Sequence, residues 1–241
     1  MEYLDPSDSH TPPFHHSISL DCRFHPGLRR DIMDLYRVYY TTEVVQMRGP
    51  WLSGDKINLR SLRDADGTRR VEWLNDSETV RLFTGIPLIR KYEYGMALQW
   101  RQIMESETSA IVWGIETKNH RHIGDVDLHA INRIYNTARL TILIGDRAYW
   151  GQGYGTDVLQ TLLRYAFDDM ELFAVNLRVF NFNHRAVRCY EKCGFMQISA
   201  SDDNSWPMGS APQKNEIFMT ITKDRLTAER LNAKALYASS R

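Results

Sequence analysis

The sequence predicts an α/β protein: a mixed, mostly antiparallel central sheet flanked by helices, with one pair of neighbouring parallel strands that can splay apart at their ends. Three observations carry this. Residues 110–116, 121–130 and 138–145 read as successive strands joined by the polar turns 117–120 and 131–137, as in an antiparallel meander. The third strand runs through a glycine-rich turn into an amphipathic helix, 156–167. A further strand, 172–180, follows that helix, and a strand–helix–strand unit returns its second strand parallel to the first.

Residues 1–26 are rich in Pro, Ser, His and Asp without periodicity and are expected to form a mobile tail. Its histidines, His10, His15, His16 and His25, read as solvated, because flexible ligands lose entropy on converging around a metal. Residues 27–54 are expected to be a helical extension, with Leu28, Ile32, Leu35, Tyr36 and Tyr39 on one side, which can cover the domain or make a homodimer contact. The main domain spans 55–222. In it, Lys56–Leu62 alternates Ile57 and Leu59 with polar neighbours as a first strand. A helix after Asp64 or Asp66 carries Val71, Trp73 and Leu74, and the cluster Asn75-Asp76-Ser77 breaks it. A short helical turn at 78–83 precedes Gly85 and Pro87; a longer helix, Arg90–Glu105, repeats Tyr92, Met96, Gln99, Trp100 and Ile103 on one face.

On the second meander strand Ile123, Asp125, Asp127 and His129 should share a face, with Gly124, Val126 and Leu128 on the other. In the helix at 156–167, Val158, Leu159, Leu162, Leu163, Ala166 and Phe167 form the apolar stripe, Thr156 is the expected N-cap, and Asp157 sits in the electropositive first turn. A short helix at 183–193 ends at Gly194, the residue suited to a left-handed C′ position. Strands at 195–200 and 216–221 complete the sheet across the loop 201–214, and 223–241 is a helix-forming tail.

Charge and cysteine content narrow the function. Thirty Lys and Arg balance thirty Asp and Glu, so composition gives no support for a nucleic-acid or anionic-membrane partner. Cys22, Cys189 and Cys193 make neither a disulfide framework nor a zinc set and read as free thiols, with no metal site. No apolar run reaches the length of a membrane span and the N-terminus lacks an apolar signal core, which implies a cytoplasmic setting.

The stretch Trp150-Gly151-Gln152-Gly153-Tyr154-Gly155-Thr156 holds the chemistry. Its glycines let the backbone approach a ligand closely, and the following helix offers unpaired N–H groups and the positive end of its dipole. A phosphate or diphosphate suits that concavity. The dinucleotide fingerprint fails on glycine spacing, and the nucleotide P-loop fails because Gly155 is followed by Thr156 and Asp157. Downstream stand Val179, Asn183, Ala186, Tyr190, Glu191, Lys192, Gly194 and Phe195. The two sets together resemble the GCN5-related N-acetyltransferase (GNAT) family, in particular the branch with ribosomal-protein and spermidine acetyltransferases. The likeness is strongest over 138–195.

That resemblance implies the acyl-CoA N-acyltransferase fold, acetyl-CoA as cosubstrate lying in the splay, and transfer of its acetyl group to a primary amine on a peptide or small molecule. It nominates Trp150, Gly151, Gln152, Gly153, Tyr154, Gly155 and Thr156 for the diphosphate, and a backbone N–H near Leu143 or Ile144 for the carbonyl oxygen. Asn183 either bonds the cofactor or caps its helix, and Tyr190 is the family's proton donor to the leaving thiolate. In register with the family's [QR]-x-x-G-x-[GA] pattern, Trp150 stands where Gln or Arg is usual. The family glutamate on the strand before the loop is missing; Arg139 and Thr141 stand there, and Asp127, with Asp125 and His129 beside it, is the substitute base. The missing glutamate also keeps open a non-catalytic acyl-CoA-binding sensor or scaffold. The amine acceptor is not named by the sequence.

Overall fold

The computed structural model describes residues 49–107, 109–198 and 214–227. The expected N-terminal tail, most of the helical extension, the last two residues of the expected 195–200 strand, the 201–214 loop except its last residue, and residues 228–241 of the C-terminal tail lie outside the described residues.

Among the described residues the chain runs β1 (Leu52–Ser53), β2 (Ile57–Arg60), α1 (Asp66–Trp73), α2 (Ser77–Thr84), α3 (Tyr94–Ser106), β3 (Ile111–Thr117), β4 (His122–Asn132), β5 (Thr137–Ile144), α4 (Tyr154–Arg164), β6 (Ala174–Phe180), α5 (His184–Lys192), β7 (Met196–Ile198) and β8 (Glu216–Thr222). The strands form one sheet in the order β1-β2-β3-β4-β5-β6-β8-β7, antiparallel throughout except for β5 and β6. Residues 223–227 begin a helix after β8. No helix among the described residues is long and apolar enough to cross a membrane.

Four details depart from the sequence expectation. The sheet begins before residue 55, because Leu52 and Ser53 pair with Leu59 and Asn58 instead of ending the helical extension. The third helix begins at Tyr94 and not at Arg90: the Asn75 amide exchanges hydrogen bonds with the Tyr92 backbone, both 2.8 Å, and holds that stretch out of the helix. α4 begins at Tyr154, with Gly153 in the left-handed region (φ 84°) at the N-cap position, which puts Thr156 inside the first turn. Ile123 joins the apolar core with Val126 and Leu128, because the register slips between Ile115 and Glu116 and the bulge puts His122 on the polar face instead.

The core lies between the sheet and α4, which a π-helical turn, Tyr165–Asp169, continues. Val158, Leu159, Leu162, Leu163, Ala166 and Phe167 are fully buried against Ile57, Leu59, Ile115, Val126 and Leu128. Burying such side chains stabilises by about 1.5–3 kcal/mol each, which is what fixes α4 on this face. A smaller apolar cluster on the opposite face, Trp73, Leu74, Val80 and Leu143, seats α1 and α2.

Candidate active site

The β5–β6 pairing is short. It runs from Thr137↔Ala174 to Arg139↔Asn176 and then stops, while β5 stays paired with β4 as far as Ile144↔Gly124. The Gly145 N–H donates to the Ile123 carbonyl at 2.9 Å, so odd-numbered residues of β5 exchange hydrogen bonds with β4. The polar backbone groups of Ile142 and Ile144 therefore face the gap that opens beside β6. Of the two residues expected to offer an N–H there, Ile144 does so. Leu143 does not: its backbone faces β4 and its side chain packs with Trp73, Leu74 and Val80.

At the mouth of this gap a 3-10 turn, Arg147–Tyr149, is capped by Asp146 and leads into the glycine loop. Gly151 (φ 71°) and Gly153 (φ 84°) turn the chain through conformations that side-chain-bearing residues resist. The Asp157 N–H makes its helical bond to Gly153, leaving the earlier N–H groups of α4 without intrahelical partners. Gln152 Nε2 bonds back to the Ala148 carbonyl, and Tyr154 packs edge-on against Tyr149 with centroids 5.0 Å apart. Trp150 Nε1 donates to the Ile144 carbonyl at 2.6 Å, so the indole lies across the outer end of the gap.

The tertiary roles of two residues at this loop, Asp157 and Lys56, escaped the sequence reading. Asp157, in the first turn of a helix suited to anions, turns its carboxylate away and accepts the backbone N–H groups of Asp55 (3.0 Å), Lys56 (2.7 Å) and Ile57 (3.1 Å). The turn held in this way delivers Lys56 Nζ to the Gln152 carbonyl at 2.9 Å. The partners lie about a hundred residues apart in the chain, and no local pattern announces them.

α5 packs beside the start of α4. Thr156 Oγ1 and Cys189 Sγ are 3.4 Å apart, and a Cβ on Gly155 would sit 3.5 Å from the same sulfur. Hydrogen bonding from Cys193 is the main cause lowering the Cys189 thiol to a pKa of about 7; burial opposes it, and Thr156, Lys192 and Arg185 assist. Tyr190 is buried against Phe195, centroids 5.8 Å apart, and its hydroxyl makes no hydrogen bond among the described residues. Burial, then the neighbouring thiols, raise its pKa far above the ordinary phenol value. It therefore keeps its proton at neutral pH. Asn183 caps α5 through Oδ1 to the Ala186 N–H (3.2 Å), and its Nδ2 donates to the Leu82 carbonyl (3.2 Å), tying α5 to the end of α2.

Asp127 lies on the other face of the sheet, opposite Thr141 of β5. Its carboxylate is 2.6 Å from His129 Nδ1, and both side chains are nearly buried. Asp125, one pleat away, is held by Arg70 and by His122 Nε2 at 3.1 Å. Tyr190 and Asp127 thus stand on opposite faces of the sheet. Among the described residues no three His, Cys, Asp or Glu side chains are grouped as a metal site.

The model of the acetyltransferase (GNAT) domain matches residues 56–196. Among curated relatives, the human alpha/beta-tubulin-N-acetyltransferase 9 is 23% identical over 142 residues, 56% of this chain and 69% of the relative. The spermidine N(1)-acetyltransferase of Vibrio cholerae is 32% identical over 83 residues, 34% of this chain and 47% of the relative. Among solved structures, spermidine N-acetyltransferase from Vibrio cholerae in complex with CoA and spermine superposes with a TM-score of 0.58 at 21% identity, covering 71% of this chain and 98% of that one. A putative ribosomal-protein-serine acetyltransferase from Vibrio cholerae gives 0.58 at 19% identity, covering 72% and 97%. With a strand–loop–helix anion nest beside a splayed parallel pair, and a domain match across more than half its length, the chain belongs to the GNAT acetyltransferases, acyl-CoA-dependent N-acyltransferases.

Proposed function

We propose that the protein transfers the acetyl group of acetyl-CoA directly to a primary amine, with both substrates held in one ternary complex. The observation that carries this reading is the gap beyond Arg139↔Asn176, which opens between two faces bearing different chemistry. Bound acetyl-CoA supplies an acyl carbon activated as a thioester. The loop Trp150 to Thr156 fits its diphosphate, since Gly151, Gly153 and Gly155 keep the backbone N–H groups unobstructed. The Ile144 N–H faces the gap where the carbonyl oxygen gains charge. Tyr190, which holds its proton, donates to the departing thiolate from the α4 side. The Asp127–His129 pair takes the amine's proton from the other face. Asn183 positions α5, and with it Tyr190, relative to the gap.

The acceptor is a single amine, on a peptide or small molecule, more readily than a polyamine. A groove of about 260 Å³ beside Gly145 is lined by Arg69, Arg121 and Arg147 as well as Glu72, Asp76 and Asp146, and these acids are ion-paired with the arginines. Such a surface offers a polycation no net attraction.

Thiol release from acetyl-CoA, followed with α-amine peptides and with spermidine, tests the reading. Turnover is expected with a peptide or monoamine, and Asp127→Asn is expected to lower kcat about 100-fold with KM little changed. A folded protein that binds acetyl-CoA but releases no CoA with any amine would instead be a sensor or scaffold.

A further inference from the structure

Trp150 occupies the loop position where the family pattern has Gln or Arg, and two guanidinium groups flank its ring. Arg147 Cζ lies 5.2 Å from the ring centroid and Arg185 Cζ lies 3.5 Å from it. Their circumstances differ. Arg147 is ion-paired with Asp76 at 3.2 Å and with Glu78. Arg185 makes no ion pair among the described residues. Burial is the largest influence lowering its pKa; the more distant Glu78 opposes that and the Arg147 charge adds to it. A half-buried cation in this situation gains from any anion brought beside it.

The fold puts that cation next to the glycine loop. Arg185 precedes Cys189 by one helical turn, so the two project from the same side of α5. Cys189 meets Thr156 and Gly155 at the start of α4, and Arg185 lies over Trp150 at the loop's entrance. The bond from Trp150 Nε1 to the Ile144 carbonyl fixes the indole plane on which the guanidinium rests. Lys56, a further cation at the loop, already donates to the Gln152 carbonyl.

We propose that Arg185, shelved on Trp150, is the cation that binds the diphosphate of CoA, so that the charge expected at position 150 is supplied from α5. This rests on the acetyl-CoA reading above. A flat aromatic in the loop then has a purpose: it trades a flexible charged side chain for a fixed platform under one from another element.

The test is calorimetric titration of the full chain with CoA and with dephospho-CoA, which lacks only the 3′-phosphate, at low and high salt. Arg185→Ala is expected to weaken both ligands alike by about 10- to 100-fold, less at high salt, and the double variant Trp150→Arg/Arg185→Ala is expected to recover most of the loss. A loss seen with CoA and absent with dephospho-CoA would place Arg185 on the 3′-phosphate and overturn the diphosphate assignment. A loss indifferent to salt and unrescued by Trp150→Arg would make the stack a structural prop and overturn it as well. Unchanged binding in Arg185→Ala sinks this proposal alone, whereas a wild-type protein that binds neither ligand sinks the acetyl-CoA reading beneath it.

Discussion

The two faces of the sheet are built on opposite principles. Under α4 the contact is apolar throughout its centre, with Val158, Leu159, Leu162 and Phe167 at 0% exposure. Under α1 and α3 runs a buried network of acidic and basic side chains. Glu116 meets Arg60 at 2.9 Å, Arg60 forks onto Asp66 at 2.7 and 2.9 Å, Asp66 faces His122 at 3.3 Å, and Asp125 joins His122 to Arg70, whose guanidinium stacks on Trp100 at 3.4 Å. Burying such pairs recovers little beyond the desolvation they cost, so this face adds less to stability than the apolar one. What it provides is a set of polar groups, fixed by their mutual bonds, on the face that carries Asp127 and His129. Apolar burial is concentrated on one face of the sheet and buried ion pairing on the other.

Substitutions can break that contrast, beginning with the largest expected loss. Phe167→Ala should lower unfolding free energy by about 4 kcal/mol, read from denaturant midpoints, through lost transfer energy and a cavity. Asp66→Ala should cost about 3 kcal/mol, because it strands the Arg60 guanidinium with Glu116 as its remaining carboxylate. Asp157→Ala, which removes the acceptor of three backbone N–H groups, should cost about 2 kcal/mol and weaken CoA binding through the loosened loop.

The smallest effect, and the most diagnostic, is on pH dependence. Burial raises the Asp66 and Glu116 pKa values, but the Arg60 hydrogen bonds and nearby positive charges outweigh it, and both end below their ordinary values of 3.8 and 4.5. Folded pKa values below the unfolded ones mean that this stabilisation is complete above about pH 5 and is lost as pH falls through the depressed values. Asp66→Asn should therefore flatten the acid limb of the stability profile, while Phe167→Ala should lower the whole profile without changing its shape. Equal acid limbs in the two variants would contradict the contrast between faces.

The apolar face was the more legible in sequence. The stripe from Val158 to Phe167 follows from helical periodicity alone, and the glycine loop from residue types that have few other uses. The polar face was legible residue by residue but not as a network. Asp125, Asp127 and His129 could be put on one side by alternation, yet the partners of Asp125 come from α1 and from across a bulge. The same one-residue slip moved Ile123 into the core and His122 out of it. Leu143 and Ile144 differ only in backbone direction, which depends on the β4 register and leaves no mark on side-chain type. Lys56 reaches the loop through a tertiary bond to Asp157, and spacing rules see only neighbours.

The early end of the β5–β6 ladder has one more consequence. Exposed strand edges recruit other chains, and proteins usually blunt them with charge, proline or a bulge. Here an unpaired stretch lies inside the sheet, between two strands of the same molecule and beneath the Trp150 indole, out of reach of an incoming strand. Ile142 and Ile144 can therefore remain apolar without inviting aggregation.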